Sequence, residues 1–207
     1  VRGGQSKKLK PILQIGAQID LTWKARLEEH LGSFQVELIR SRTANVMNDR
    51  LLLAGMLSSA TLINRFFPTG QVYKEFYKSS ENLFDLLQFP DIWTLGYFKW
   101  ELEFLETLGF GLDLEKCAVT GSTEDLKFIS PKSGRAVSEA AAGDWSSKLL
   151  PFPIAASGQV NSLEDILEGL KVSQFFLEKK VLIAFGMEHL PSARSRFVSF
   201  LEKKIKN

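Results

Sequence analysis

The segment that most strongly determines the fold is Ile92-Trp93-Thr94-Leu95-Gly96-Tyr97-Phe98-Lys99-Trp100-Glu101-Leu102-Glu103-Phe104-Leu105-Glu106-Thr107-Leu108, followed by Gly109-Phe110-Gly111-Leu112-Asp113-Leu114. Its apolar residues Trp93, Tyr97, Trp100, Phe104 and Leu108 recur at spacings of three and four, which is the periodicity of an amphipathic helix. Glycine adopts the left-handed conformation that ends many helices. We therefore predict a helix from Ile92 to Leu108 that ends at Gly109.

Other helices are predicted on both sides of this one. They run from Asn45 to Phe67, from Tyr73 to Phe89, from Leu163 to about Ile183 and from Pro191 to Lys204. The run Ser162-Leu163-Glu164-Asp165 resembles a capping box at a helix start. The charge-free run from Leu51 to Asn64 is shorter than the roughly 18–20 residues that span a bilayer, so it predicts a buried helix. We expect no membrane-spanning helix and, from the polar start Val1–Lys8, no signal peptide.

The first 42 residues differ from this helical remainder. Apolar and polar residues alternate in much of Ser33–Ser41, as they do in a half-buried strand, and we predict strand-rich segments at Lys10–Gly16, Ala17–Arg26 and Ser33–Ser41. Residues 109–158 are rich in glycine and proline, which predicts irregular structure. The predicted fold class is α+β, with a basic, strand-rich part at residues 1–42 and a helical part at residues 43–207.

The charges of the 207-residue chain are unevenly placed. The chain has 26 basic and 24 acidic residues, a net charge of +2. Residues 1–42 have a net charge of +4, residues 43–178 of −7 and residues 179–207 of +5. Two basic ends around an acidic middle suggest that a polyanionic partner should be considered.

The sequence offers little for catalysis. A single cysteine excludes an internal disulfide, and the two histidines lie far apart outside any known catalytic motif. Glu101, Glu103 and Glu106 could form a carboxylate cluster, but a solvated helix face is the preferred interpretation. Gly109-Phe110-Gly111 has the outline of a phosphate loop. It follows a predicted helix instead of a strand, so we interpret it as a cap and turn. We expect no enzyme activity.

The basic start is the strongest functional signal in the residues themselves. Its eight cations are Arg2, Lys7, Lys8, Lys10, Lys24, Arg26, Arg40 and Arg42. Several cations on one sheet face, beside flexible glycines, are typical of proteins that bind the phosphate backbone of nucleic acid and release its counterions. A merely solubilising surface is the alternative. Trp23 and Phe34 are candidates to stack on bases, with core burial as the preferred interpretation.

Five segments match the motifs of a known family in order and spacing. They are residues 1–11 (VRGGQSKKLKP), 23–27 (WKARL), 100–114 (WELEFLETLGFGLDL), 117–121 (CAVTG) and 130–134 (SPKSG). With them the chain resembles the RecO family of bacterial recombination-mediator DNA repair proteins. The resemblance implies an N-terminal OB-fold β-barrel followed by a mainly α-helical domain.

The resemblance also implies a function without bond-breaking chemistry. Family members bind single- and double-stranded DNA and anneal complementary strands. With RecR, they help load RecA onto DNA that is covered by single-strand-binding protein. They need no nucleotide or other cofactor, and they work in the bacterial cytoplasm at the nucleoid. The eight cations of the basic start would be the phosphate contacts.

This chain departs from the family pattern in its sheet and in its zinc positions. An OB-fold has five strands and we predict two or three, so we expect the opening strands to lie before Val1 and the barrel to be incomplete. Many family members hold zinc with four cysteines, at positions that match Cys117, Thr120, Ser138 and Ala141. Zinc requires four thiolate or imidazole ligands. We expect a zinc-finger-like lobe at about residues 112–145 without metal, supported by packing around Val119, Phe128 and Val137.

A second interpretation of the chain is a protein-interaction module. By resemblance, the helical domain would capture the acidic, aromatic tail of single-strand-binding protein in a hydrophobic groove edged by basic residues, even without binding DNA itself. The candidates are Lys179, Lys180, Arg194 and Arg196 near Phe175, Phe176 and Phe197. Helix ends and ordinary core aromatic residues are the alternative for these positions.

Overall fold

The aromatic stretch forms the central helix of the fold. In the computed structural model, which describes residues 7–27, 32–43, 46–160 and 162–206, this helix (α3) runs from Pro90 to Thr107. Proline suits the first turn, where a helix N–H has no intrahelical partner. Trp93, Tyr97 and Phe104 are completely buried. The spacing of three and four therefore marked the buried face of the helix correctly.

The end of α3 confirms the predicted glycine cap. Gly109 has a φ of +85°, which an L-residue with a side chain rarely adopts. The N–H groups of Gly109 and Phe110 donate to the carbonyls of Glu106 and Leu105 at 2.9 and 2.8 Å. These bonds satisfy two carbonyls that the helix itself leaves without partners.

Six further α-helices lie in the described part of the chain. They are α1 (Arg50–Phe66), α2 (Lys74–Asp85), α4 (Glu139–Ala142), α5 (Leu163–Phe176), α6 (Leu182–Ala184) and α7 (Ser192–Lys206). Helix α1 packs along α7, and α3 contacts α1, α2 and α5. Gly55 allows the close approach of α1 to α3, since a Cβ atom there would lie 2.3 Å from the Trp93 ring.

Two predicted helices have different ends in the structure. The first begins at Arg50, where the side chain of Asp49 accepts two N–H bonds of the first turn. Its expected start, Asn45, lies outside the described residues. The second ends at Asp85 and passes into a 3₁₀ turn at Leu86–Gln88, so only its last residues were predicted wrongly.

The predicted capping box is confirmed at the start of α5. Ser162 N–H donates to the carboxylate of Asp165 at 3.1 Å, and Asp165 N–H donates to the Ser162 hydroxyl at 3.4 Å. Aspartate therefore replaces the usual glutamate in this motif. Helix α5 continues through a π turn at Leu177–Val181 into α6, so the long predicted helix contains one wider turn.

The N-terminal part forms an antiparallel hairpin of β1 (Gln18–Lys24) and β2 (Ser33–Arg40). This confirms two of the three predicted strand-rich segments. The third, Lys10–Gly16, forms turns instead. There the Leu9 carbonyl accepts hydrogen bonds from the N–H groups of Ile12 and Leu13. The described residues contain no closed barrel, so the OB-fold expectation is met only by this two-stranded sheet.

A second small sheet lies in the region that was predicted to be irregular. Strands β3 (Leu126–Ile129), β4 (Ala136–Ser138) and β5 (Leu150–Pro151) pair antiparallel in the order β4-β3-β5. The prediction missed them because strands of two to four residues are too short to show alternation. The same region keeps several turns at glycines with positive φ.

The three glutamates of α3 do not share one environment. Glu103 and Glu106 are exposed, as a solvated face requires, whereas Glu101 is completely buried. Its place in the solvated face was therefore predicted wrongly.

None of the helices in the described part of the chain is both long enough and apolar enough to cross a membrane.

Candidate nucleic-acid interface

Six of the eight predicted phosphate-contact residues are exposed, and Arg40 is the one of these six that pairs with a carboxylate. Lys7, Lys8 and Lys10 lie in the turns before β1, Lys24 ends β1, and Arg26 follows it. Among the described residues, none of these other five forms an ion pair with a carboxylate. We call these five residues the basic N-terminal surface. Their charges are not neutralised within the described fold. Arg2 lies outside the described residues.

Arg40 and Arg42 have a different environment. Nη1 of Arg40 and Nε of Arg42 both donate to Oδ1 of Asp85, each at 2.6 Å. Nη2 of Arg42 lies 3.9 Å from the carboxylate of Glu81 and donates to the Gln18 side chain at 3.2 Å. Arg42 is only 5% exposed. Its guanidinium therefore joins the end of the hairpin to α2 and is not presented to solvent.

The electrostatics of Asp85 follow from these two arginines. Partial burial acts to raise the pKa of Asp85, but the hydrogen bond and charge of Arg42, together with those of Arg40, hold it below its ordinary value. The carboxylate is therefore ionised at neutral pH, and it draws both guanidinium groups toward α2.

Further contacts fix the segment before the hairpin to the helices. The Thr43 hydroxyl donates to the Ile15 carbonyl at 2.7 Å, and the Gln18 side chain donates to Glu81. Gly16 has a φ of +82°, and a Cβ atom there would lie 2.8 Å from the Met56 sulfur. The chain thus passes close to α1 at a position that favours glycine.

One face of the hairpin is apolar and open. Leu21 pairs with Val36, and Trp23 pairs with Phe34, so these side chains lie on the same face of the two strands. Trp23 is 46% and Phe34 is 44% exposed. The preferred interpretation, core burial of these two aromatic residues, is therefore wrong for the described fold. Their rings remain accessible to a stacking partner.

Comparisons with known proteins agree on one family. The family description "Recombination protein O C terminal" matches residues 47–186, well over half of the chain. The chain is 48% identical over 207 residues to the DNA repair protein RecO of Ruegeria sp. (strain TM1040), covering 99% of this chain and 86% of that protein. It is 45% identical to the RecO of Jannaschia sp. (strain CCS1), covering 99% and 84%. It is 47% identical to that of Cereibacter sphaeroides (strain ATCC 17029 / ATH 2.4.9), covering 98% and 84%.

The chain belongs to the RecO family. The resemblance found from sequence motifs is thereby confirmed. The family match spans α1 to α6 and the small β3–β5 sheet. The curated RecO relatives also align with the N-terminal hairpin, because they cover nearly the whole chain.

The residues that the RecO resemblance suggested for binding an acidic tail differ in their burial. Lys179 and Arg196 are exposed, Lys180 and Phe175 are half-buried, and Arg194, Phe176 and Phe197 are buried. Arg194 donates through Nε and Nη2 to the two carboxylate oxygens of Glu101, at 2.8 and 2.7 Å. This buried ion pair joins α3 to α7, so the Arg194 guanidinium has no solvent-exposed face in this fold.

An open groove lies between α1 and α7 at Arg196, one of the two exposed residues of this set. It has a volume of about 620 Å³, and its lining includes Arg65 and Arg196 beside Leu57 and Pro191. Arg65 was not among the predicted residues. It is far from Arg196 in the chain, so no local pattern could have placed the two side by side.

The four positions that the resemblance matched to zinc ligands do not fit a zinc ion in this chain. Ala141 has no donor atom, and the Cys117 sulfur accepts hydrogen bonds from the N–H and hydroxyl of Ser138 at 3.3 and 3.4 Å. No group of three or more His, Cys, Asp or Glu side chains within the described ranges is arranged to hold a metal ion.

A small apolar cluster surrounds Cys117. Its buried members are Cys117, Val137 and Ala142, with Phe128 packed against them. Val119, by contrast, is exposed, so its predicted part in the packing is wrong. Burial acts to raise the pKa of Cys117, but hydrogen bonds from Ser138 and Thr120 lower it to about 6.

Proposed function

We propose that this RecO-family chain is a non-enzymatic recombination mediator that binds single- and double-stranded DNA and promotes strand annealing. Its curated relatives are named as DNA repair proteins. The observation that carries the proposal is the basic N-terminal surface, whose five cations are exposed and without ion pairs among the described residues. We also propose the division into a basic part at residues 1–42 and a helical part at residues 43–207.

The physical basis of DNA binding would be counterion release. Each phosphate that a lysine or arginine neutralises frees condensed counterions, and the binding constant then falls with salt. The open rings of Trp23 and Phe34 lie on the same hairpin and would stack on unpaired bases. Neutralisation of two strands on one surface would lower their repulsion, and complementary bases would then pair.

The first experiment measures binding of a labelled oligothymidine by fluorescence anisotropy over a range of salt concentrations. Lys24→Gln/Arg26→Gln should bind more weakly, with a log–log salt slope smaller by about 0.7 for each phosphate that is no longer neutralised. Lys78→Gln/Lys171→Gln is the matched control, since it removes the same charge from exposed helix positions. Equal effects of the two pairs would contradict a specific role of the hairpin.

The partners suggested by the RecO resemblance belong to this proposal as well. The chain would act with RecR at DNA covered by single-strand-binding protein and so assist RecA indirectly. A test is the annealing of complementary strands coated with single-strand-binding protein, with and without RecR. We expect Lys24→Gln/Arg26→Gln to abolish annealing and the helix control to anneal normally. Equal annealing by the two variants would contradict the proposal.

The groove between α1 and α7 favours a second candidate function, capture of an acidic peptide tail. Arg65 and Arg196 line it together with apolar Leu57 and Pro191, which is a combination that suits an acidic tail ending in an aromatic residue. A labelled tail peptide should bind Arg196→Glu more weakly than Lys78→Glu, a charge reversal on α2. Reversal of the buried Arg194 would test folding instead of binding.

A further inference from the structure

A second cluster of cations lies in a small cleft away from the hairpin. The loop Gly109–Gly111 after α3, the turn Lys132–Gly134 before β4 and Lys180 of the π turn line this cleft. Its volume is about 180 Å³. Ligand pockets for drug-sized molecules usually exceed about 300 Å³, so this cleft fits one small group.

Glycines let the main chain form the walls of the cleft. Gly134 has a φ of +71°, and a Cβ atom there would lie 3.1 Å from the Leu112 side chain. A Cβ atom on Gly109 would meet no atom within 4 Å, so the surface beside it is open. Among the described residues, the N–H of Gly111 and the hydroxyl of Ser133 have no hydrogen-bond partner. Two donors are therefore available in the lining.

The charges of the lining are all of one sign. Lys132 and Lys180 come from separate segments of the chain, and neither forms an ion pair within the described residues. No aspartate or glutamate of the described chain lines the cleft. The negative partial charge at the C-terminal end of α3 is also reduced there, because the carbonyls of Leu105 and Glu106 accept hydrogen bonds from the N–H groups of the cap.

Lys180 lies inside the π turn between α5 and α6. A π turn holds one residue more than an α turn and so rotates the side chains that follow it. The turn spans Leu177–Val181, between the buried Phe176 of the cleft wall and α6. Such turns are rare and occur frequently at functional sites.

We propose that this cleft binds one phosphate group of a nucleic-acid backbone. Two unpaired lysines, a free hydroxyl and a free N–H match the acceptors of a phosphodiester. Nucleic acid is favoured over free phosphate because the cleft is open and the half-buried ring of Phe110 forms one wall beside the cations. The inference rests on the proposed DNA-binding function and adds a contact on the helical part of the chain.

The first test uses the full chain and the same oligothymidine titration. Lys132→Gln/Lys180→Gln should bind several-fold more weakly than the wild type, with a salt slope smaller by about 0.7 because a single phosphate is no longer neutralised. The matched control is again Lys78→Gln/Lys171→Gln. Lys132→Gln alone, at an exposed turn position, should show a smaller change in the same direction and guards against misfolding at half-buried Lys180. A salt slope equal to that of the control would overturn the proposal.

The second test records amide NMR signals of the wild type. The oligonucleotide should shift the signals of Gly111 and Ser133, and these shifts should be absent in Lys132→Gln/Lys180→Gln. If inorganic phosphate shifts both signals and the oligonucleotide shifts neither, the cleft binds free phosphate and the proposal is wrong.

The outcomes separate the cleft from the hairpin. If Lys24→Gln/Arg26→Gln weakens binding and the cleft variant does not, the proposed function holds and the cleft proposal fails. If only the cleft variant weakens binding, the cleft holds and the role of the basic N-terminal surface is wrong. If the wild type binds no oligonucleotide, both are wrong.

Discussion

Removal of the negative charge of Glu101 should destabilise the fold more than any surface charge change. Its oxygens accept bonds from Arg194 at 2.7 and 2.8 Å, from the Ser173 hydroxyl at 2.5 Å and from the Tyr97 hydroxyl at 3.2 Å. Glu101 is 0% and Arg194 1% exposed. Burial, and then the charge of Glu101, raise the pKa of Tyr97 well above its usual value. The phenol therefore stays protonated and acts as a donor.

Glu101→Gln would leave the Arg194 guanidinium buried without its counter-charge. Breaking a buried ion pair in this way costs about 3–5 kcal/mol. That is a large fraction of the roughly 5–15 kcal/mol that holds a typical domain folded. Replacement of both partners, Glu101→Leu/Arg194→Met, should cost far less, because no unpaired charge remains. The Tyr97 hydroxyl keeps its 2.7 Å bond to Ser58, and the Ser173 hydroxyl donates its proton to the Leu170 carbonyl, 3.1 Å away, instead of to Glu101.

The assay is urea unfolding followed by tryptophan fluorescence. Trp93 and Trp100 lie in the same buried core and report its unfolding. The midpoint should fall strongly for Glu101→Gln while the slope m is unchanged. Arg135→Gln is the control, since its ion pair with Asp113, at 3.1 Å, is about 40% exposed on both sides. Exposed pairs contribute about 0–1 kcal/mol.

Two results would contradict this account of the ion pair. If Glu101→Gln lowers the free energy of unfolding no more than Arg135→Gln does, burial does not increase the cost of breaking an ion pair. If the double variant is destabilised as much as Glu101→Gln, the effect comes from packing and not from the unpaired charge.

Three further predictions concern other parts of the fold. Asp85→Asn should loosen the hairpin from α2, because Arg40 and Arg42 lose the carboxylate that they share, and hydrogen exchange in β1 and β2 should become faster. The folded pKa of Asp85 is depressed, so the wild type keeps this contribution to stability above the ordinary aspartate pKa and should lose it as the pH falls through the lower folded value. Unchanged exchange would contradict the contact. The thiolate absorbance of Cys117, as the difference between wild type and Cys117→Ser, should titrate near pH 6, and a midpoint above about 8 would contradict the role of the hydrogen bonds. Gly55→Ala should destabilise the protein by about 1–3 kcal/mol through the clash with Trp93, and an unchanged thermal midpoint would refute that close contact.

The elements that sequence reasoning predicted well are those with a strong local pattern. Helix α3 follows from its aromatic spacing, and the cap at Gly109 and the capping box at Ser162 follow from residue types at fixed positions. The hairpin follows from alternation in β2. In each case the interactions that form the element join residues close together in the chain, or repeat with a fixed period.

The parts that were missed depend on partners far apart in the chain. Arg42 and Asp85 are 43 residues apart, and Glu101 and Arg194 are 93 residues apart. A local pattern assigns each of these charges to the surface, because an unpaired buried charge is costly. Only the tertiary fold shows that each charge has a partner. The turns at Lys10–Gly16 were missed for another reason, since apolar residues there suggested a strand that backbone bonds to Leu9 prevent.

The division of charge along the chain therefore has a structural meaning as well as a functional one. Asp85 and Glu101 of the acidic middle neutralise Arg42 from one basic end and Arg194 from the other. These ion pairs hold the ends to the helices, so the arginines that contribute to the basic character of the sequence are not all available to a partner. The charges that remain for a polyanion are those without a carboxylate nearby. A test of the proposed DNA-binding surface should thus rank cations by their lack of an internal partner, which places Lys24 and Arg26 ahead of Arg42.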